Sequence, residues 1–175
     1  MTPSRSRGRK PASLKLLDDR VFEPLASEAG SSERRRSHYN LHPSLDDPVQ
    51  RFCIAAGPES YFRPHRHRAP EKWELFLALG GAAALLLFDN EGTVLERAVL
   101  SAAGPVRAVE VPPGAWHGLA VLERGTVLFE VKPGPYESLS DKDFAPWSPA
   151  EGSPESLSLT TWLRAALTGD RPPRG

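Results

Sequence analysis

From Glu74 to Leu100 the chain reads ELFLALGGAAALLLFDNEGTVLERAVL. Three apolar runs, Glu74–Leu79, Ala82–Phe88 and Val94–Leu100, are each strand-sized, far short of the ~20 residues of a membrane span. Turn chemistry separates them. Gly80-Gly81 marks a tight bend, and Asp89-Asn90-Glu91-Gly92 makes a hairpin loop. The same rhythm extends to both sides, with strands expected over Gln50–Ala55, Tyr61–His67, Val106–Val111, Trp116–Leu122 and Thr126–Lys132. Gly57-Pro58, Pro112-Pro113-Gly114 and Glu123-Arg124-Gly125 punctuate them. Turn signals about every eight to twelve residues predict an all-β core, eight antiparallel strands in one barrel or double-sheet jelly roll.

The flanks read differently. Leu16, Leu17, Val21, Phe22, Leu25 and Ala29 recur at helical spacing, with Asp18 or Asp19 as the cap and Pro24 expected to confine or kink the helix. Arg34–Arg36 reads as a solvated face, Phe144–Trp147 as an irregular strap, and Leu157–Leu167 as a second amphipathic helix. The layout is therefore a disordered basic tail over 1–12, a helical or loop extension over 13–48, the β-barrel over 49–150, and a helix and tail over 151–175.

Composition narrows the function. With 22 basic and 22 acidic side chains among 175 residues the net charge is zero, which argues against a nucleic-acid binder steered by its overall field. The one cysteine, Cys53, cannot form an intrachain disulfide, and it reads as an inert buried thiol. The basic N-terminus lacks the apolar core of a secretory signal. The expectation is one cytoplasmic domain with neither nucleic acid nor membrane as partner.

Chemistry concentrates on three histidines. His65 and His67 lie two apart, so an extended strand turns both rings to one face. Two neutral imidazoles buried side by side without partners cost several kcal/mol, and a shared cation removes that cost. Glu74 opens the next strand as a third donor, and His117, after a Pro-x-Gly turn, supplies a fourth. Three imidazoles and a carboxylate leave two of about six octahedral positions open, and they suit Fe(II), Mn(II), Ni(II), Co(II) or Zn(II).

Around this centre, Tyr61 and Arg63 share the parity of His65, and with Gln50 and Arg51 they are candidates for the pocket mouth. An arginine there reads as an anchor for carboxylate or phosphate. Glu130 and Lys132 share one strand face, as an outward solvated pair or as inward groups that move protons. His38 and His42 read as surface or capping residues, and Trp73 and Trp116 as core. Strands 74–88 are apolar on both faces, so their outer side is covered by the N-terminal helix or by a second subunit in a homodimer.

These motifs resemble the cupins. Gly57, His65, His67, Glu74 and Gly81 follow the first cupin motif, and Pro112, Gly114 and His117 follow the second. The gap from His67 to Glu74 is longer than usual, Glu71 fits that gap but not the distance to Gly81, and Val121 stands where an Asn is usual. Within the cupins the chain is most similar to the WbuC family over about residues 14–150. The resemblance is carried by Asn40-Leu41-His42-Pro43, Asp47–Arg51, Ser60-Tyr61, Pro64–His67, Lys72-Trp73-Glu74, Phe88-Asp89, Trp116-His117, Glu130–Lys132, Gly134-Pro135-Tyr136, Asp141-Lys142 and Phe144–Trp147.

The resemblance implies a cupin-fold metalloprotein associated with bacterial surface-polysaccharide and O-antigen gene clusters. Its implied ligand is a sugar-related small molecule. Two open coordination positions together with that association lead to the expectation of metal-dependent isomerisation or epimerisation of a sugar or nucleotide-sugar, with Glu130, Lys132 or Tyr61 moving the proton. An Fe(II)-dependent oxygenase and a non-catalytic sugar-binding sensor are the alternatives.

Overall fold

The structure, a computed structural model, describes residues 13–67, 72–136 and 142–173. The expected tail over 1–12 and the alternative carboxylate Glu71 lie outside the described residues. The elements are α1 (Asp19–Ser31), β1 (Arg36–Asn40), β2 (Val49–Ala56), β3 (His65–His67), β4 (Glu74–Gly80), β5 (Ala82–Phe88), β6 (Val94–Ser101), β7 (Ala108–Val111), β8 (Trp116–Val121), β9 (Thr126–Pro133), β10 (Lys142–Phe144) and α2 (Pro154–Ala165).

Every pairing is antiparallel, and the strands form two five-stranded sheets. One runs β1-β2-β9-β4-β7 and the other β10-β3-β8-β5-β6. They pack face to face as a jelly roll. Phe76, Ala78, Val111 and Leu128 of the first sheet meet Ala83, Leu85, Leu100 and Leu119 of the second in the buried interior. The Gly80-Gly81 bend lets β4 and β5 lie in different sheets. Gly81 adopts φ +63°, and a Cβ there would stand 2.5 Å from Thr126 Oγ1, so only glycine fits.

Each sheet also buries part of its outer face. α1 is capped by Asp18, whose side chain accepts from the Arg20 amide. It lays Leu25 and Ala29 on Cys53, Ala55 and Val127. The helix runs through Pro24 to Ser31. A proline removes one backbone donor, and the apolar face packed on the sheet holds the helix across that loss. α2 presses Leu159 and Leu163 onto Ala84, Leu86, Phe88 and Ala120. The cover over β5 is thus α2, neither of the two covers expected for it.

Two strands replace segments read otherwise. β1 pairs with β2 in full register from Arg36↔Ala56 to Asn40↔Phe52, where an extension with a solvated arginine face was expected. β10 pairs with β3 and takes in Phe144, while residues 145–147 form the expected irregular strap and pack back on the core. Conversely, only His65–His67 of the expected strand from Tyr61 is regular.

Leu163 is 1% exposed and Leu157 67%. Leu163→Ala should lose about 2–5 kcal/mol of unfolding free energy in urea, and Leu157→Ala less than about 0.5; equal losses would mean that α2 does not seal the sheet. Cys53 is wholly buried, and burial pushes its thiol up to about 11. A disulfide reagent at pH 8 should therefore leave Cys53 unmodified until the protein is denatured.

Candidate metal centre

Register assembles the centre from both sheets. On one side His65 lies directly opposite His117 in the β3–β8 pair, and His67 shares the face of His65. On the other, Phe76 pairs with Glu130 and Leu75 with Val131, which sets Glu74 beside Lys132. The donor atoms of His65, His67, Glu74 and His117 all fall within 4.8 Å of one another. His67, Glu74 and His117 are 2–3% exposed, so this is an interior site.

The hydrogen bonds fix what each ring presents. His65 Nδ1 lies 2.9 Å from the Arg63 carbonyl, and His117 Nδ1 lies 2.9 Å from the Ala115 carbonyl. A carbonyl only accepts, so each Nδ1 carries a proton and each ring turns Nε2 inward. His117 Nε2 stands 2.8 Å from Glu74 Oε2, and His67 Nε2 stands 2.9 Å from Oε1. A lone pair facing a carboxylate at that distance requires a positive charge, either a ring proton or a cation shared by the set. Neighbouring ligands around an ion with bonds of about 2.1 Å lie about 3 Å apart, so the spacing fits a divalent cation.

Behind Glu74 stands a buried charge chain. Lys132 Nζ donates to Glu74 Oε1 at 3.0 Å and contacts Glu130 Oε1 at 2.7 Å. Burial alone would lower the Lys132 pKa, but Glu130 and Glu74 outweigh it and raise it, so the ammonium keeps its proton. Burial alone would raise the Glu74 pKa, yet Lys132 and the facing His117 and His67 hold it well below the usual carboxylate range.

The centre forms one wall of a cavity of about 540 Å³. Glu130 and Lys132 line it and are each 5% exposed; they are not an outward solvated pair. Gln50 and Arg63 also line it. Gln50 spends its amide on the Leu45 and Asp47 carbonyls. Arg63 binds Ser148 and lies over the Phe144 ring.

Two expected pocket residues fall elsewhere. Arg51 is on the opposite face of β2 from Gln50 and pairs with Asp47, because neighbours in a strand point opposite ways. Tyr61 is buried in the core near α2, with its hydroxyl donating to the Pro149 carbonyl. The backbone before His65 is irregular, so the parity of His65 does not extend back to it. Cavity residues missed in the sequence include Arg34, Arg36, His38, Asn40 and His42. The signal was present as donor side chains alternating at period two.

A family model described as a domain of unknown function, DUF6016, matches residues 17–100. Among curated proteins none matches the chain. Among solved structures, the capsular polysaccharide assembling protein CapF from Staphylococcus aureus aligns with TM-score 0.54 at 19% identity, over 65% of this chain and 32% of its own. An oxalate oxidase in complex with the substrate analogue glycolate aligns with TM-score 0.51 at 13% identity, over 77% and 73% of the two chains.

The chain has the cupin fold. It spans about a third of the length of CapF. KdgF from Halomonas sp. aligns with TM-score 0.45 at 20% identity, over 61% of this chain and 85% of its own. Among the described residues no helix is long and apolar enough to cross a membrane.

Removing the Lys132 charge tests the electrostatics. Lys132→Met leaves Glu74 and Glu130 buried without their shared cation. It should cost about 3–5 kcal/mol of stability in urea unfolding with a chelator present; a loss under about 1 kcal/mol would show that the chain carries no such strain.

Proposed function

We propose that this cupin is a metalloprotein of the WbuC type. It holds one divalent ion through His65, His67, Glu74 and His117 and acts on a sugar-related small molecule in surface-polysaccharide assembly. The observation that carries the reading is the convergence of three imidazoles and an acceptor-only carboxylate on one buried point. A proton satisfies one such contact, whereas four donor atoms within 4.8 Å call for a cation. The motif resemblance to WbuC supports the biological setting, and so does the fold shared with a protein described as assembling capsular polysaccharide.

When bound, the ion supplies Lewis acidity to a carbonyl or hydroxyl oxygen of the ligand. The chain supplies the rest. Lys132 keeps its proton and holds both Glu74 and Glu130 in place, so it acts as a fixed charge and not as a base. Glu130 is the cavity carboxylate left outside the donor set near the centre, and it takes the proton from a ligand carbon and returns it. Tyr61, bonded to Pro149 and away from the cavity, has no part in this step. Phe52 and Phe76 line the cavity beside Glu130 and limit water around it. This arrangement suits isomerisation or epimerisation at a carbon next to a carbonyl.

Protein purified without added metal should carry about one divalent ion per chain by elemental analysis, and the His65→Ala/His117→Ala double variant should carry almost none. Incubation with phospho-sugars in D2O should place solvent deuterium on carbon, and Glu130→Gln should slow that exchange by about a hundredfold or more. Substrate-dependent oxygen uptake with Fe(II) and no exchange would contradict the isomerase reading and favour an oxygenase. Saturable sugar binding without exchange or uptake would leave a sensor module.

A further inference from the structure

Five side chains two residues apart, Arg34, Arg36, His38, Asn40 and His42, all line the cavity, along β1 and its continuations. Arginine is a donor only, and histidine and asparagine each carry a donor. The same cavity is lined by His65, Glu74 and His117 of the metal centre and by the rings of Phe52 and Phe144.

His42 has the most specific geometry. It is 6% exposed, and its Nε2 has no hydrogen-bond partner among the described residues. The Arg51 amide donates to its Nδ1 at 3.0 Å; the same nitrogen lies 2.9 Å from the Arg51 carbonyl, but that carbonyl already accepts from Leu41 N at 2.8 Å, whereas the amide has this one acceptor. The arrangement that satisfies both peptide groups leaves the lone pair on Nδ1 and puts the proton on Nε2. A buried N–H without an acceptor is costly, and a ligand in the cavity that His42 lines can supply one.

Charge completes the picture. Arg34, Arg36, Arg63 and Lys132 line the cavity against Glu74, Glu130 and Glu151, an excess of one positive charge before any metal is bound. A divalent ion raises that excess to three. Arg34 and Arg36 are tied to Glu151 at 2.8 and 2.7 Å, which braces one end of the strand and leaves the His38–His42 end to meet a ligand.

We propose that the inward face of the chain from His38 to His42 is the recognition wall of this site, and that it binds a polyhydroxylated anion whose oxygens accept from His42 Nε2 and Asn40. The assignment rests on the reading of another wall of the cavity as a metal centre and adds to it the side of the ligand that faces away from the ion. Carboxylate and phosphate offer the same acceptor chemistry to this wall.

The test uses gluconate, glucose 6-phosphate and neutral glucose as probes, titrated calorimetrically into the full-length protein with and without Zn(II), alongside Zn(II) affinity by chelator competition. His42→Asn keeps an acceptor for the Arg51 amide and removes the Nε2 donor, and Asn40→Ala is a second, exposed variant. At least one anion should bind more tightly than glucose, with the tighter of the two identifying the acid or the phosphate. Each variant should weaken that binding on the order of tenfold with Zn(II) affinity unchanged. Wild-type affinity for the anion in both variants, or no preference for either anion over glucose, would overturn the recognition wall. Anion binding that depends on His42 in a protein that takes up no Zn(II) would instead overturn the metal reading and leave the wall standing.

Discussion

A carboxylate sits at the seam between the two sheets, closed off from water, and the rest of the molecule is arranged around keeping it charged. Glu74 comes from the β1-β2-β9-β4-β7 sheet, and the imidazoles of His67 and His117 that face it come from the other. An isolated carboxylate in such a place would take up a proton and lose its charge. Lys132 prevents this from within the same sheet, and the imidazoles turn their nitrogens toward it from across the barrel. The jelly roll is thus held at this point by facing polar groups where elsewhere it is held by apolar packing.

The interior divides accordingly. Toward the Gly80-Gly81 bend the inward positions are Ala78, Leu128, Ala83 and Leu85, and they pack against one another. Toward the other end β4, β9 and β8 present Glu74, Glu130, Lys132 and His117, and the space between them stays open as the cavity. A β-strand passes from one regime to the other in two or three residues because every second side chain faces inward. α1 and α2 seal the outer faces that this interior leaves apolar, with Cys53 under the first and Leu86 under the second.

The parts of this arrangement that period-two spacing controls were legible before any coordinates. His65 and His67 share a face, Gly80-Gly81 must turn, and the Pro-x-Gly turn delivers His117 to a strand start. Register was not legible: that Glu74 meets Lys132 follows from the pairing of β4 with β9, a contact between residues far apart in sequence. β1 went unread for a physical reason. Its inward side chains face a wet cavity and are polar, so the strand lacks the apolar alternation by which strands are recognised. Tyr61 was drawn into the site by extending a strand parity through backbone that is not a strand, and Arg51 by nearness to Gln50 without regard to which face it takes.

The most direct measurement is an anomalous-scattering map from crystals of protein purified without added metal, recorded on both sides of the absorption edges of the first-row metals. The account requires one strong peak in bonding contact with Nε2 of His65, His67 and His117 and with a Glu74 oxygen. A map without a peak there, with those side chains closed directly onto one another, would contradict it.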